Sequence, residues 1–80
     1  MQASAASQIL KDFIAPVDST AVSKLRAAGA ILVGSTNMDE MGMGSWSMYG
    51  MDGKMVKNPI DNDYFCGGSS GGSAASVASL

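Results

Sequence analysis

The chain has 80 residues, a formal net charge of −2, one cysteine and no histidine. A chain of this length forms at most one small domain, and its five scattered basic residues make no positive stripe, which argues against binding DNA or RNA by itself. One cysteine without histidine excludes a disulfide framework and a zinc site, and no apolar run approaches the roughly 18 residues of a membrane span.

The first predicted element is an amphipathic helix from residue 5 to about residue 14. Its apolar residues recur at the spacing of one helix face. They are Ile9, Leu10, Phe13 and Ile14. Pro16 ends this helix, because the residue before a proline is pushed away from the helical region.

A second helix is predicted to begin after Asp18 or Ser19, either of which is a suitable N-cap. Gly29 closes it as the residue after the helix end. The apolar stripe comprises Val22, Leu25 and Ala28. Residues 30–34 then form a continuous apolar run, typical of a strand buried on both faces. Helix, glycine and buried strand together indicate an α/β unit.

A short helical turn is predicted over residues 38–43. Asn37 stands in the N-cap position, with Glu40 three residues later as in a capping box. The methionines of this turn are read as core filler, since methionine adapts to irregular gaps. Residues 44–47 lead into an extended stretch, and residues 50–64 are predicted to be loop.

The most distinctive segment starts at Cys66. Two glycine pairs, at 67–68 and 71–72, bracket Ser69 and Ser70. Glycine permits positive φ and close approach of other groups, so the pairs can present the two hydroxyls in a fixed geometry. Residues 73–80 are predicted to form a buried helix of small residues.

Other readings of this segment stay open on composition alone. A glycine- and serine-rich run is also typical of a flexible linker. A phosphate-binding loop requires Lys followed by Ser or Thr after its last glycine, which is absent here. The pattern G-x-S-x-G of a nucleophile elbow occurs twice, but that motif follows a hydrophobic strand, whereas residues 58–64 are polar.

Residues 67–75, Gly-Gly-Ser-Ser-Gly-Gly-Ser-Ala-Ala, resemble the signature of the amidase-signature enzymes. Residues 36–45, beginning Thr-Asn-Met-Asp-Glu, and the Pro-x-Asp-x-Thr-x-Val pattern at 16–22 are similar to the A subunits of glutamyl-tRNA(Gln) amidotransferases. The resemblance implies an α/β fold with a mixed β-sheet core covered by helices. Residues 1–80 would be a partial amidase-signature domain, with its N-terminal and C-terminal parts missing.

The resemblance also implies a Ser–cis-Ser–Lys triad. Ser69 would be the bridging serine that relays a proton, preceded by a cis peptide bond, and Ser70 would support it. The nucleophilic serine and the catalytic lysine would lie outside these residues, so the isolated chain is expected to be inactive. The remaining implied roles are loop shaping and substrate binding. Loop shaping falls to Gly67, Gly68, Gly71 and Gly72, and substrate binding to Met43 and Gly44.

The implied reaction is hydrolysis of the glutamine amide, with ammonia passed to a partner B subunit. That subunit would use ATP and Mg²⁺ to convert Glu-tRNA(Gln) to Gln-tRNA(Gln) and would make most of the tRNA contacts, beside a small accessory subunit. This chain itself is expected to hold no cofactor and no metal, and to bind no DNA or membrane. Two alternatives are a stand-alone amidase of small or fatty carboxamides and a non-catalytic truncated paralogue.

Two positions depart from the pattern of these amidotransferases. Ser35 stands where lysine is common, and Cys66 stands where proline is usual. Neither position belongs to the triad. Together with the unusual segment at 46–57, they favour a diverged organellar protein, so we expect mitochondrial localisation, with the bacterial cytoplasm as the alternative.

Overall fold

The computed structural model describes residues 2–48, 50 and 53–80. Its helices are α1 at Thr20–Ala27, a short 3-10 helix at Glu40–Gly42 and α2 at Gly71–Ala78. The β pairing within the described ranges consists of isolated antiparallel bridges, Gln2 with Ile14 and Lys57 with Phe65. A mixed β-sheet core is therefore not present in the part of the chain that the structure describes.

Helix α1 confirms the second predicted helix. The hydroxyl of Ser19 accepts a hydrogen bond from the Val22 N–H at 3.3 Å, as an N-cap does. Gly29 follows the helix with φ +88°, and its N–H donates to the Arg26 carbonyl at 3.0 Å. This positive φ explains why a glycine ends the helix. The capping signals of α1 lie within the segment itself, which is why the sequence located it.

Replacing Ser19 by alanine is expected to lower the free energy of opening α1 by about 1 kcal/mol, because the Val22 N–H loses its acceptor. Amide hydrogen exchange of the first helical turn measures this change. The matched control is Ser23→Ala, one turn further on, whose side chain is exposed. Equal effects of the two substitutions would contradict a capping role for Ser19.

The helix predicted over residues 5–14 is wrong. The segment is a series of turns, with Ala5 and Ala6 at φ 49° and 55°. The Ala3 N–H bonds the Phe13 carbonyl at 2.9 Å, which folds the segment back on itself. The Ala5 carbonyl accepts from the Met41 N–H at 2.8 Å. Local turn hydrogen bonds, such as that from the Phe13 N–H to the Leu10 carbonyl at 2.9 Å, and the bond to Met41 therefore take the place of the helical ones that the apolar spacing predicted.

The buried strand predicted at residues 30–34 is also wrong for this structure. The segment has no strand pairing, and the side chains of Ile31 and Val33 are 87% and 98% exposed. A strand is defined by hydrogen bonds to neighbouring strands, and no described segment pairs with this one. The apolar run consequently lies on the surface of this chain.

The turn around Glu40 is shorter than predicted, and Asp39 rather than Asn37 precedes it as N-cap. The Asn37 side chain instead accepts from the Met38 N–H at 3.0 Å. Met41, at φ 55°, and Met43 are exposed, so the prediction that the methionines fill the core is wrong for these two, whereas Met38 is half-buried.

The stretch after this turn contains an aromatic contact and the predicted loop. The Trp46 and Phe65 rings meet edge to face, with centroids 4.5 Å apart. The loop predicted at 50–64 is confirmed where the structure describes it, as bends and turns with a single bridge residue, Lys57. Residues 51 and 52 of that loop lie outside the described residues.

Helix α2 confirms the helix predicted at residues 73–80 but begins earlier, at Gly71. Its predicted burial is wrong, since Val77 is 72% exposed. None of the apolar side chains in the described ranges is buried. The buried side chains are polar instead. They are Ser7, Asp39 and Ser47. Hydrogen bonds between segments, rather than an apolar core, hold the residues around the serine loop.

Candidate active site

The loop between Cys66 and α2 carries both candidate serines. Its Gly68–Ser69 peptide bond is cis, the geometry that the resemblance implied for the bond before the bridging serine. Gly67 has φ +79°, a backbone conformation that favours glycine. Ser69 and Ser70 line one open cavity together with the surrounding glycines and Ala74. The two hydroxyl-bearing residues are thus presented side by side at an accessible surface.

The Ser69 carbonyl is bound from one direction by the segment 39–47. It accepts a hydrogen bond from the Asp39 N–H at 2.9 Å and a longer one from the Ser47 hydroxyl at 3.4 Å. The same Ser47 hydroxyl accepts from the Gly71 N–H at 3.0 Å. Ser47 is 1% exposed. One buried hydroxyl therefore joins the serine loop to the start of α2.

Asp39 is 4% exposed, and its carboxylate lies against the serine loop. Its Oδ2 accepts from the Ser47 N–H at 3.1 Å. A Cβ on Gly68 would overlap this Oδ2, and a Cβ on Gly44 would lie 2.5 Å from the Asp39 Cγ. Glycine is therefore required at both positions because the carboxylate approaches closely.

The second glycine pair is packed just as closely. The Gly72 N–H donates to the Asn37 carbonyl at 3.0 Å, and a Cβ on Gly72 would overlap that carbonyl. A Cβ on Gly71 would overlap the Ser47 hydroxyl and lie 2.7 Å from the Cys66 Sγ. Helix α2 thus starts directly against the segments 36–39 and 47, as expected for glycines that let a helix begin beside the site.

The two predicted substrate-binding residues lie beside the serine loop but not in its cavity. Met43 and Gly44 line a neighbouring cavity with Glu40 and Trp46. Asp39 also lines that cavity and separates it from the serine loop, since Gly44 and Gly68 both pack on its carboxylate. The structure therefore brings Gly44 near Ser69 through Asp39, and leaves the Met43 side chain exposed.

Sequence reasoning missed two residues of this site, Asp39 and Ser47. Asp39 belongs to the Thr-Asn-Met-Asp-Glu segment, where it reads as a polar residue at the start of a helix. Ser47 lies 22 residues before Ser69 and has no local pattern that distinguishes it. The only signal for Asp39 is that Gly44 and Gly68 pack against its carboxylate, and this contact is visible only in the folded chain.

The described residues contain neither a candidate metal site nor a membrane-spanning helix. Within residues 2–48, 50 and 53–80, no cluster of three or more His, Cys, Asp or Glu side chains could hold a metal ion. Among the same residues, no helix has the length and apolar character needed to cross a membrane.

Comparison with known proteins shows the family of the chain. Residues 1–80 match the Amidase family. The A subunit of the glutamyl-tRNA(Gln) amidotransferase of Alkaliphilus metalliredigens is 56% identical over 78 residues, covering 98% of this chain and 16% of that protein. Its counterpart in Borrelia garinii is 52% identical over 75 residues, covering 94% of this chain and 15% of that protein.

A solved structure is also similar, that of the glutamyl-tRNA(Gln) amidotransferase A subunit from Thermotoga maritima. The TM-score is 0.90 at 42% sequence identity, over 96% of this chain and 17% of that one. The chain therefore spans only about one sixth of the length of these relatives. All of them are bacterial, so they give no support to the mitochondrial localisation expected from Ser35 and Cys66. The match over its whole length shows that the chain belongs to the Amidase family.

Proposed function

We propose that these residues carry the proton-relay serine of a glutamine amidase that supplies ammonia for converting Glu-tRNA(Gln) to Gln-tRNA(Gln). One observation carries the proposal. Ser69 lies in an open cavity while its carbonyl is bound by the Asp39 N–H and the Ser47 hydroxyl. This arrangement fixes the backbone of Ser69 and leaves the residue accessible. The identity to the amidotransferase A subunits supports the choice of substrate.

In the proposed mechanism a serine outside these residues attacks the side-chain amide carbon of glutamine. Its proton passes through the Ser69 hydroxyl to a neutral lysine, which also lies outside, and then to the departing ammonia. Water hydrolyses the acyl-enzyme and releases glutamate. Ser70 supports the relay by hydrogen bonding, and Met43 and Gly44 contact the substrate.

The proposed partners follow from the same family likeness. A B subunit would receive the ammonia, bind ATP and Mg²⁺, and make most of the tRNA contacts, with a small accessory subunit completing the complex. The net charge of −2 on this chain agrees with tRNA contacts that are made mainly by the partner subunit. The relatives named here are amidotransferase subunits, which favours this assignment over a stand-alone amidase of small or fatty carboxamides.

The test uses the full reading frame that contains these residues, expressed with its candidate B and accessory subunits. Ammonia release is measured with glutamine, with small carboxamides and with fatty amides. We expect release from glutamine, and transfer of the amide to Glu-tRNA(Gln) when ATP is present. Release from the other amides alone would assign a stand-alone amidase. If the full reading frame encodes neither the catalytic lysine nor the nucleophilic serine, the protein is a non-catalytic paralogue.

A further inference from the structure

We propose that Asp39 and Ser47 are positioning residues that set the catalytic rate by holding Ser69 in place. This inference rests on the proposed function, because it assigns the two residues to the proton relay. Both side chains are buried and lie outside the glycine-serine loop. Neither touches the reacting atoms in the proposed mechanism. Their effect is on the orientation of Ser69.

Ser47 acts on both sides of the relay serine. Its hydroxyl donates to the Ser69 carbonyl at 3.4 Å and accepts from the Gly71 N–H at 3.0 Å. A hydroxyl can donate and accept at once, so one side chain spans the loop from Ser69 to the first residue of α2. Alanine at position 47 would remove both hydrogen bonds and leave the buried Gly71 N–H without its acceptor.

Asp39 fixes Ser47 in turn. The carboxylate accepts from the Ser47 N–H at 3.1 Å, while the Asp39 N–H binds the Ser69 carbonyl at 2.9 Å. Ser47 has φ 50°, a conformation that residues other than glycine adopt only where the surroundings hold them. A charged acceptor on the Ser47 N–H is such a restraint, since hydrogen bonds to ionised groups are the stronger ones.

The close packing of the glycines makes this restraint stiff. Gly44 and Gly68 both lie against the Asp39 carboxylate, with no room for a Cβ at either position. Movement of the carboxylate would therefore shift Gly68, the residue before Ser69. Because a proton relay depends on the placement of its groups, loosening this contact is expected to lower kcat and leave KM for glutamine nearly unchanged.

The test compares Ser47→Ala with the control Thr36→Val in the whole enzyme with its partner subunits. Thr36 also links its segment to helix α2, through a 3.0 Å hydrogen bond with the Ser73 hydroxyl, but it is exposed and no hydrogen bond among the described residues joins it to Ser69. Ser47→Ala is expected to reduce kcat for ammonia release about a hundredfold, the order found when a catalytic group is misplaced by about 1 Å. Valine keeps the Thr36 Cβ, which lies close to Gly72, and removes only the exposed hydroxyl, so Thr36→Val is expected to change kcat by less than about twofold.

Two further comparisons distinguish a positioning role from a general effect on folding. Ser47→Ala is expected to lose no further kcat when Ser69 is already alanine, because Ser47 acts only through Ser69. Asp39→Asn keeps an acceptor for the Ser47 N–H and is expected to retain about ten times the kcat of Asp39→Ala. Equal kcat losses for Ser47→Ala in both backgrounds, or equal losses for the two Asp39 variants, would overturn the positioning role.

The positioning role can be tested even if the proposed function is wrong. An inactive wild-type complex would refute glutamine hydrolysis, and the positioning role would then be read from amide hydrogen exchange. Ser47→Ala is expected to speed exchange of the Gly71 and Asp39 amides, which bond the Ser47 hydroxyl and the Ser69 carbonyl. If both amides exchange in Ser47→Ala at the same rates as in Thr36→Val, the positioning role is overturned.

Discussion

Replacing Ser69 by alanine is expected to lower kcat for ammonia release from glutamine by between about 10² and 10⁴, the usual contribution of a positioned acid or base. The substitution removes the hydroxyl that is proposed to pass a proton between the nucleophile and the lysine. The carbonyl of residue 69 still accepts from the Asp39 N–H, so the loop itself is retained. Steady-state measurement of ammonia release by the whole enzyme checks the value, with KM expected to change little.

Ser70→Ala is the matched control for this prediction. Ser70 is the next residue and lines the same cavity, so it tests whether any serine of the pair suffices. We expect Ser70→Ala to lower kcat by up to about tenfold, as for the loss of one neutral hydrogen bond. A larger loss for Ser70 than for Ser69 would exchange the two proposed roles. No loss for Ser69→Ala would refute the relay.

Alanine at Gly68 is expected to destabilise the site by about 1–3 kcal/mol, the usual effect of overpacking, and to reduce kcat severely. Its Cβ would overlap the Asp39 Oδ2 and would lie 2.9 Å from the Trp46 backbone nitrogen. A backbone atom cannot rotate away as the end of a side chain can. The loop or the segment 39–47 must therefore move. Thermal unfolding and ammonia release of the whole enzyme measure the two effects.

Gly67→Ala is the matched control, one residue earlier in the same loop. A Cβ there meets nothing within 4 Å, so the cost comes only from φ +79°. A left-handed conformation costs an alanine about 1–2 kcal/mol. We expect similar destabilisation from both variants but a much larger loss of kcat from Gly68→Ala, since only that Cβ displaces Asp39. Equal losses of kcat would contradict the role given to the Asp39 contact.

The elements that the sequence located are those whose signals are local. Helix α1 has its cap at Ser19 and its terminating Gly29 within the segment, and α2 follows the glycine pairs directly. The helix predicted at 5–14 is replaced by local turns, and the Ala5 carbonyl bonds the distant Met41 N–H instead of a residue of its own segment. The strand at 30–34 failed because pairing with another strand defines a strand, and apolar composition alone supplies no partner.

The residues of the candidate site also differ in whether the local sequence marks them. The glycine-serine motif predicted Ser69, Ser70 and their flanking glycines as candidates, because four glycines around two serines form an unusual local pattern, and the family resemblance gave the relay role to Ser69. Asp39 and Ser47 were not predicted, since their contacts with the serine loop join residues at least 22 positions apart in the sequence. Neither residue type is distinctive where it stands. Burial alone marks them, and burial of a polar side chain is a property of the folded chain.

The binding of the Ser69 carbonyl by Asp39 and Ser47 has a consequence for changing substrate preference. The segment between these two residues, 40–46, lines the same cavity as Met43, and the residues at both of its ends bind the Ser69 carbonyl. Point substitutions inside the segment can reshape the cavity while both attachments persist. Insertions or deletions there would alter the span between the two attachments and displace Ser69 from its proposed place between the lysine and the nucleophile. Variation in amide preference is therefore expected through side-chain identity at constant segment length.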